Sequence, residues 1–361
     1  RLQGKLAEAA SSFAQAIALD GKDITALNEL GNIRWQEGRI EEAAALYQRV
    51  LVAQPATLGV LINLGNALAR LGRLNDAVPV YQRAVVLQPD SLDARLGLAS
   101  TLTSLGHSQQ ALTLYREIEQ VQPDFPGLQL NFGLACMKLG RPEEAIAHYD
   151  RAIALRPDDY MAHNNRGNAL REQQRNAEAI ASFRRALDIK PDHARAHSNL
   201  LLTLNYVEAS QEAIYQESLR FQACQAAALT PATRAFPNSR EPQRVLRVGY
   251  VSADFRRHSV AYFLKALLAT HDRERVQVYC YSNVERADTV TADFQALADQ
   301  WRAITGLPDS TVADQILDDG IDILVDLGGH TGGNRLLTFA RKPAPVQVSW
   351  LGYPNTTGVA A

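Results

Sequence analysis

Two rhythms of apolar and polar positions divide this chain of 361 residues. Over residues 1–229 apolar positions recur at helical spacing, and Gly and Pro interrupt them at regular intervals. Beyond residue 245, short β-branched runs alternate with helical stretches. Strands are expected at Val245–Val251, Val276–Ser282, Arg302–Ile304, Ile321–Asp326 and Val346–Trp350. Helices are expected at Val260–Ala269, Thr289–Ala298, Ser310–Leu317 and Arg335–Arg341. This alternation argues for a parallel sheet covered by helices on both faces. Thr230–Arg244, with Pro231, Pro237 and Pro242, reads as the connection. The expected organisation is therefore an all-α repeat domain at 1–229, a linker at 230–244 and an α/β domain at 245–361.

The helical part is periodic. Pro55, Pro89, Pro123, Pro157 and Pro191 are each 34 residues apart, and the same step links Ala43, Ala77, Ala111, Ala145 and Ala179. It links the aromatics Phe13, Tyr47, Tyr81, Tyr115, Tyr149 and Phe183, and the glycines Gly31, Gly65, Gly133 and Gly167, with Ala99 in the third place. A second glycine series, Gly38, Gly72, Gly106 and Gly140, marks a turn inside each unit. Such a 34-residue helix–turn–helix unit resembles the tetratricopeptide family. Units fall near 24–57, 58–91, 92–125, 126–159 and 160–193, after a partial unit at 1–23 and before an altered closing unit at 194–227. The small residues allow close helix approach, the aromatics fill space between neighbouring units, and the prolines stop each second helix. Two places before the early glycines lie Glu29, Asn63, Gly97, Asn131, Asn165 and Asn199. The resemblance puts this column on the inner, concave wall. There the amides of Asn63, Asn131, Asn165 and Asn199 are suited to pairing with the backbone of an extended peptide. Equally, each asparagine can bond its own neighbouring turn. Periodicity leaves both readings open.

Chemistry concentrates at the ends of the expected strands. In Arg247–His258 a strand runs into a polar turn, and His258 sits where the next helix begins. Open α/β sheets bind ligands at the carboxyl ends of their strands. A helix N-terminus disfavours protonation of a nearby imidazole, so His258 is a candidate proton acceptor. The alternative is that His258 and Asp254 only cap the helix. Asp326–Asn334, with its glycines, is a second strand-to-helix turn, in which backbone N–H groups can face a ligand or simply make a tight turn. Trp350-Leu351-Gly352-Tyr353-Pro354 is the third.

Composition narrows the class. Apolar residues make up 46% and charged residues 21%, as in ordinary globular protein. The formal charge is 37 − 39 = −2, which gives no footprint for nucleic acid or an acidic membrane. Cys136, Cys224 and Cys280 are far apart, which argues against a disulfide framework or zinc site and suits a reducing, cytoplasmic setting. His193 and His197 are four apart, but no third ligand is evident, so no metal is expected.

Arg247–His258, Asp326–Asn334 and Pro343–Gly358 together resemble the first catalytic lobe of the O-linked N-acetylglucosaminyltransferase family, of bacterial type. That family also carries tetratricopeptide repeats before its catalytic region. The resemblance implies a tetratricopeptide superhelix followed by a Rossmann-like α/β lobe, the first half of a GT-B glycosyltransferase. It implies an inverting, metal-independent, cofactor-free transfer of N-acetylglucosamine from UDP-GlcNAc to Ser or Thr hydroxyls of proteins. His258 and Asp254 match catalytic positions; His330, Thr331, Gly332, Gly333, Leu351, Gly352, Tyr353 and Pro354 fall in donor-pocket motifs. A second lobe is expected to complete the site, so this segment alone is expected to be inactive. The rival reading is a repeat adaptor with a non-catalytic α/β domain.

Overall fold

The computed structural model describes the backbone of residues 2–360 and side chains from Lys5 to Ala360. The chain divides into two compact units, Arg1–Pro157 and Asp158–Ala361.

The first unit is a stack of helices: α1 (Leu2–Leu19), α2 (Ile24–Gln36), α3 (Ile40–Ala53), α4 (Leu58–Arg70), α5 (Leu74–Leu87), α6 (Leu92–Ser104), α7 (Ser108–Val121), α8 (Leu128–Lys138) and α9 (Pro142–Leu155). The turn glycines Gly38, Gly72, Gly106 and Gly140 all have positive φ, between 68° and 88°. There a side chain is strained, so the first helix of each unit ends. The prolines stand two residues beyond the ends of α3, α5, α7 and α9, after the last helical hydrogen bond. The aromatic column packs first within its own unit. A Cβ on Gly31 would lie 2.7 Å from the Tyr47 ring, and one on Gly65 2.6 Å from Tyr81. Tyr81 also lies against Gly97 of the next unit, so this ring is a wedge between α4, α5 and α6. Tyr47, Tyr81 and Tyr115 are at most 2% exposed.

The second unit opens with four more helices, α10 (Tyr160–Glu172), α11 (Asn176–Ile189), α12 (Ala194–Leu204) and α13 (Gln211–Phe221). The expected closing unit thus takes the form of α12 and α13, followed by a π-helical turn at Gln222–Ala226 and a 3₁₀ turn at Ala227–Leu229. Gln174 replaces the turn glycine and still adopts φ 58°.

The α/β part follows: β1 (Leu246–Ser252), α14 (Ser259–Thr270), β2 (Val276–Ser282), α15 (Thr289–Leu297), β3 (Gln300–Ala303), α16 (Asp309–Asp318), β4 (Ile323–Asp326), α17 (Leu336–Ala340) and β5 (Val346–Ser349). All pairings are parallel, in the order β3-β2-β1-β4-β5. β3 starts earlier than the sequence suggests, because Gln300 pairs with Tyr279. Val248, Val278 and Val325 pack under α14 and α15 with Leu264 and Phe294. Val251, Tyr281 and Leu324 pack on the opposite face with Val312, Ile316 and Phe339. The linker is clamped to this sheet. Asp322 accepts from Arg244 Nη1 (2.6 Å), Asn238 Nδ2 (2.6 Å) and the Arg247 amide (2.8 Å). Burial opposes the Asp322 charge, but these donors outweigh it and hold the carboxyl below its usual range.

Candidate functional site

The chain moves outward from β1 to β2 and β3, then returns to β4 on the other side of β1. Strand order reverses between β1 and β4, and the carboxyl ends of strands at such a point leave a crevice for ligands. Ser252, Ala253 and Asp254 from the β1 turn face Gly328 and Thr331–Arg335 from the β4 turn across a narrow cleft. Beside it opens a cavity of about 310 Å³, lined by Arg256, Asn283, Arg286, Gly332 and Gly333 among others.

Asp326 organises the glycine turn. It is 3% exposed and accepts from the Gly328 amide (3.0 Å), the Gly329 amide (2.9 Å) and Ser349 Oγ (2.8 Å). Burial pushes its carboxyl above the ordinary range in spite of those three donors. The far end of the turn is tied by Asn283 Nδ2 to the Gly333 carbonyl (2.8 Å), and Arg335 Nη2 donates to Asn283 Oδ1 (2.9 Å).

In the β1 turn, Phe255 is fully buried against Phe294 and Trp301. Asp254, 8% exposed, has its amide on Ser252 Oγ at 2.9 Å. His258 is the N-cap of α14, with Nδ1 3.4 Å from the Val260 amide and 3.6 Å from Asp254 Oδ2. Its side chain is 38% exposed. The two Nδ1 neighbours demand opposite tautomers. The Val260 N–H needs a lone pair on Nδ1, whereas Asp254 favours a proton there. Only the second arrangement leaves Nε2 free to accept a proton.

His330 and Tyr353 turn away from this cleft toward α12 and α13. His330 is 1% exposed, with Nδ1 3.0 Å from Ser198 Oγ and Nε2 2.9 Å from the Thr357 carbonyl. A carbonyl can only accept, so Nε2 carries the proton and Nδ1 takes the Ser198 hydroxyl. Phe221 and Tyr353 meet the ring edge-on, at 4.7 and 5.2 Å. Burial pushes this imidazole down to about 4. Tyr353 Oη accepts from Asn205 Nδ2 at 3.1 Å. Leu351, at φ 74°, and Pro354 are exposed. At Gly352 a Cβ would fall 1.7 Å from the Leu327 carbonyl oxygen, so only glycine fits.

The fold therefore gathers Asp254, Thr331, Gly332 and Gly333 at one cleft, with His258 in the turn leading into α14. It sets His330 and Tyr353 in the packing behind. Sequence reasoning missed the roles of Asp326, Asn283 and Arg335. An Asp before Gly-Gly at a strand end does signal a side-chain-bonded turn. The Asn283–Arg335 bond spans 52 residues and leaves no local trace.

The asparagine column is already bonded in part. Asn131 Nδ2 donates to the Gly127 carbonyl of its own turn at 3.0 Å. Asn63 Nδ2 reaches Asn32 Oδ1 at 3.4 Å, and Asn199 Nδ2 reaches Asn164 Oδ1 at 3.0 Å. Asn165 Oδ1 accepts from Asn164 at 3.2 Å. All four are half-buried, and an amide retains further donor and acceptor places. Among the described residues no group of three or more His, Cys, Asp or Glu is placed to hold a metal ion, and no helix is long and apolar enough to cross a membrane.

Tetratricopeptide repeats match residues 3–56, 62–126 and 130–194, and glycosyl transferase family 41 matches residues 192–361. The chain is a tetratricopeptide repeat protein whose residues 192–361 are similar to glycosyl transferase family 41. The family-41 match begins just before α12, so it includes the helices that hold His330 and Tyr353. A probable UDP-N-acetylglucosamine–peptide N-acetylglucosaminyltransferase SPINDLY of Solanum lycopersicum is 42% identical over 163 residues, 44% of this chain and 18% of the relative. A Caenorhabditis elegans UDP-N-acetylglucosamine–peptide N-acetylglucosaminyltransferase is 37% identical over 131 residues, 36% of this chain and 11% of the relative. A solved mutant of Thermobaculum terrenum O-GlcNAc transferase is 38% identical with a TM-score of 0.68, over 74% of this chain and 52% of that one. The chain thus spans less than a fifth of these curated relatives and about half of the Thermobaculum protein.

Proposed function

We propose that the protein to which this chain belongs is a protein O-GlcNAc transferase. It moves N-acetylglucosamine from UDP-GlcNAc to Ser or Thr hydroxyls of polypeptides held by the repeats. The observation that carries this reading is the cleft at the β1/β4 reversal, built from two turns of a family-41 sheet. The names of the relatives supply the donor and acceptor class.

In the reaction the acceptor oxygen attacks the anomeric carbon, the bond to the diphosphate breaks, and the hydroxyl proton leaves to a base. Inversion follows from a single displacement. His258 Nε2 is the proposed base. Asp254 holds the proton on Nδ1, at the expense of the weak 3.4 Å cap bond to Val260. The glycine turn brings backbone N–H groups close to the donor sugar or its phosphates. The protein works in the cytoplasm, without a resident metal, and a second lobe outside these residues completes donor binding.

The test is the full-length protein with labelled UDP-GlcNAc and a cell extract. Transfer to protein is expected, unchanged by a chelator. His258→Ala should lower it by about 100-fold or more, the usual contribution of a general base. No UDP binding by the full-length protein would sink the transferase reading and leave a repeat adaptor.

A further inference from the structure

The asparagine column has one charged member, and it opens into a cavity. Glu29 on α2 occupies the first place of the column. Around it Asn32, Trp35, Gln36, Tyr47, Asn63 and Asn66 enclose about 330 Å³, all within the first unit. That is several times the roughly 30 Å³ share of one water molecule, enough for a long side chain.

Glu29 makes no ion pair among the described residues, and its only hydrogen bond there is to the neighbouring Asn28 amide at 3.3 Å. The nearby cations are engaged elsewhere. Arg34 pairs with Glu37 at 2.6 Å and with Glu42 at 3.3 Å. Arg70 lies over the Trp35 ring, 5.2 Å from its centroid, and does not line the cavity. The Tyr47 phenol is pushed up to about 12, by burial first and then by the Glu29 charge, so this wall stays neutral. The cavity thus offers one uncompensated carboxylate, the Trp35 ring and the amide oxygens of Asn63 and Gln36, whereas Asn32 Oδ1 accepts from Tyr47 and Asn63 and Asn66 Oδ1 accepts from Tyr81. It contains no cationic side chain.

We propose that this cavity reads a lysine or arginine side chain of the polypeptide lying along the asparagine column. The aliphatic stem packs on Trp35, and the cationic head pairs with Glu29 and the amide oxygen of Asn63. In this arrangement the amides of Asn131, Asn165 and Asn199 grip a backbone without regard to sequence, whereas Glu29 supplies a side-chain preference. The inference rests on the reading that the repeats hold a polypeptide.

The test uses the full-length protein to select from a displayed library of random 15-residue peptides, with three proteins compared: wild type, Glu29→Gln and Asn63→Ala. Wild type should enrich Lys or Arg at one position. Glu29→Gln should still select peptides but lose that enrichment. A Lys-containing peptide from the wild-type pool should bind Glu29→Gln about tenfold more weakly, as expected for a charge-assisted bond. Its affinity for wild type should fall as salt is raised, and its affinity for Glu29→Gln should not. Asn63→Ala should weaken selected peptides with and without the basic residue. Retention of the Lys/Arg preference in Glu29→Gln overturns the pocket while leaving the peptide groove intact. If none of the three proteins selects any peptide, the groove reading itself fails and the pocket falls with it.

Discussion

His330 is an ionisable residue whose burial disfavours its charged form. The Thr357 carbonyl accepts from Nε2 and by itself favours a proton on the ring, but the loss of water around a side chain packed between Phe221 and Tyr353 outweighs it. Its folded value is near 4 against 6.5 for a free imidazole, so the unfolded chain takes up the proton first as pH falls. The stabilisation is full above 6.5 and declines by roughly 1.4 kcal/mol per pH unit on the way down to the folded value. Urea unfolding at pH 7 and pH 5 should show this slope, and His330→Gln should flatten it; equal slopes in the two proteins would refute the assignment. Gly352 makes a steric rather than an electrostatic demand. Gly352→Ala should cost several kcal/mol or misplace the turn, because a Cβ at 1.7 Å meets a backbone oxygen that cannot move alone. Asp254→Asn removes the charge that favours a proton on Nδ1 of His258. Transfer by the full-length protein should then fall by about tenfold or more while donor binding is kept.

The elements were readable wherever periodicity carries the signal. Five columns at one step located the helix pairs, and positive φ at Gly38, Gly72, Gly106 and Gly140 follows from the residue type. The strand–helix alternation gave every element of the sheet, because each apolar run is bounded by polar turns. Sequence cannot show strand order, and the order is what places the β1 and β4 turns opposite each other. Nor did it show that His330, two residues before Gly332, and Tyr353, next to Gly352, face α12 and α13, since their partners lie 27 to 148 residues away. The linker shows the same effect. Its prolines marked a break in regular structure, yet Asn238 and Arg244 bind it to Asp322. Asp322→Ala would leave the Arg244 and Asn238 donors without their acceptor, at a cost of about 3 kcal/mol. Trypsin should then cut at Arg240 or Arg244 much faster than in the wild type, and an unchanged cleavage rate would contradict the clamp.

At the scale of the molecule, the division between compact units falls at Pro157, inside the repeat array, and not at the proline-rich linker. The physical reason lies in what α12 and α13 bury. Phe221 is 1% exposed and meets both His197 and His330 edge-on. The His197–Glu217 pair, 2.8 Å apart, is buried beside it. The segment after β5 runs back over these helices, where Asn355 Nδ2 donates to Asn205 Oδ1 at 3.3 Å and the Ala360 amide to Gln222 Oε1 at 3.0 Å. At Gly358, φ 72°, a Cβ would fall 2.2 Å from the Ser218 carbonyl oxygen. The last repeats are thus part of the α/β body, and a cut at the linker would open its core. A fragment of residues 158–361 should therefore unfold cooperatively on heating. A fragment of residues 230–361 should bind a hydrophobic dye and melt lower or without a clear transition, because His330 and Tyr353 lose Ser198, Phe221 and Asn205 together. The titration of His330 separates this from a general loss of yield. In the shorter fragment its imidazole, open to water, should return toward 6.5 by NMR, while in the longer one it stays near 4. A fragment of 230–361 that melts as sharply and at the same temperature as 158–361 would mean that the α/β lobe ends at its linker after all.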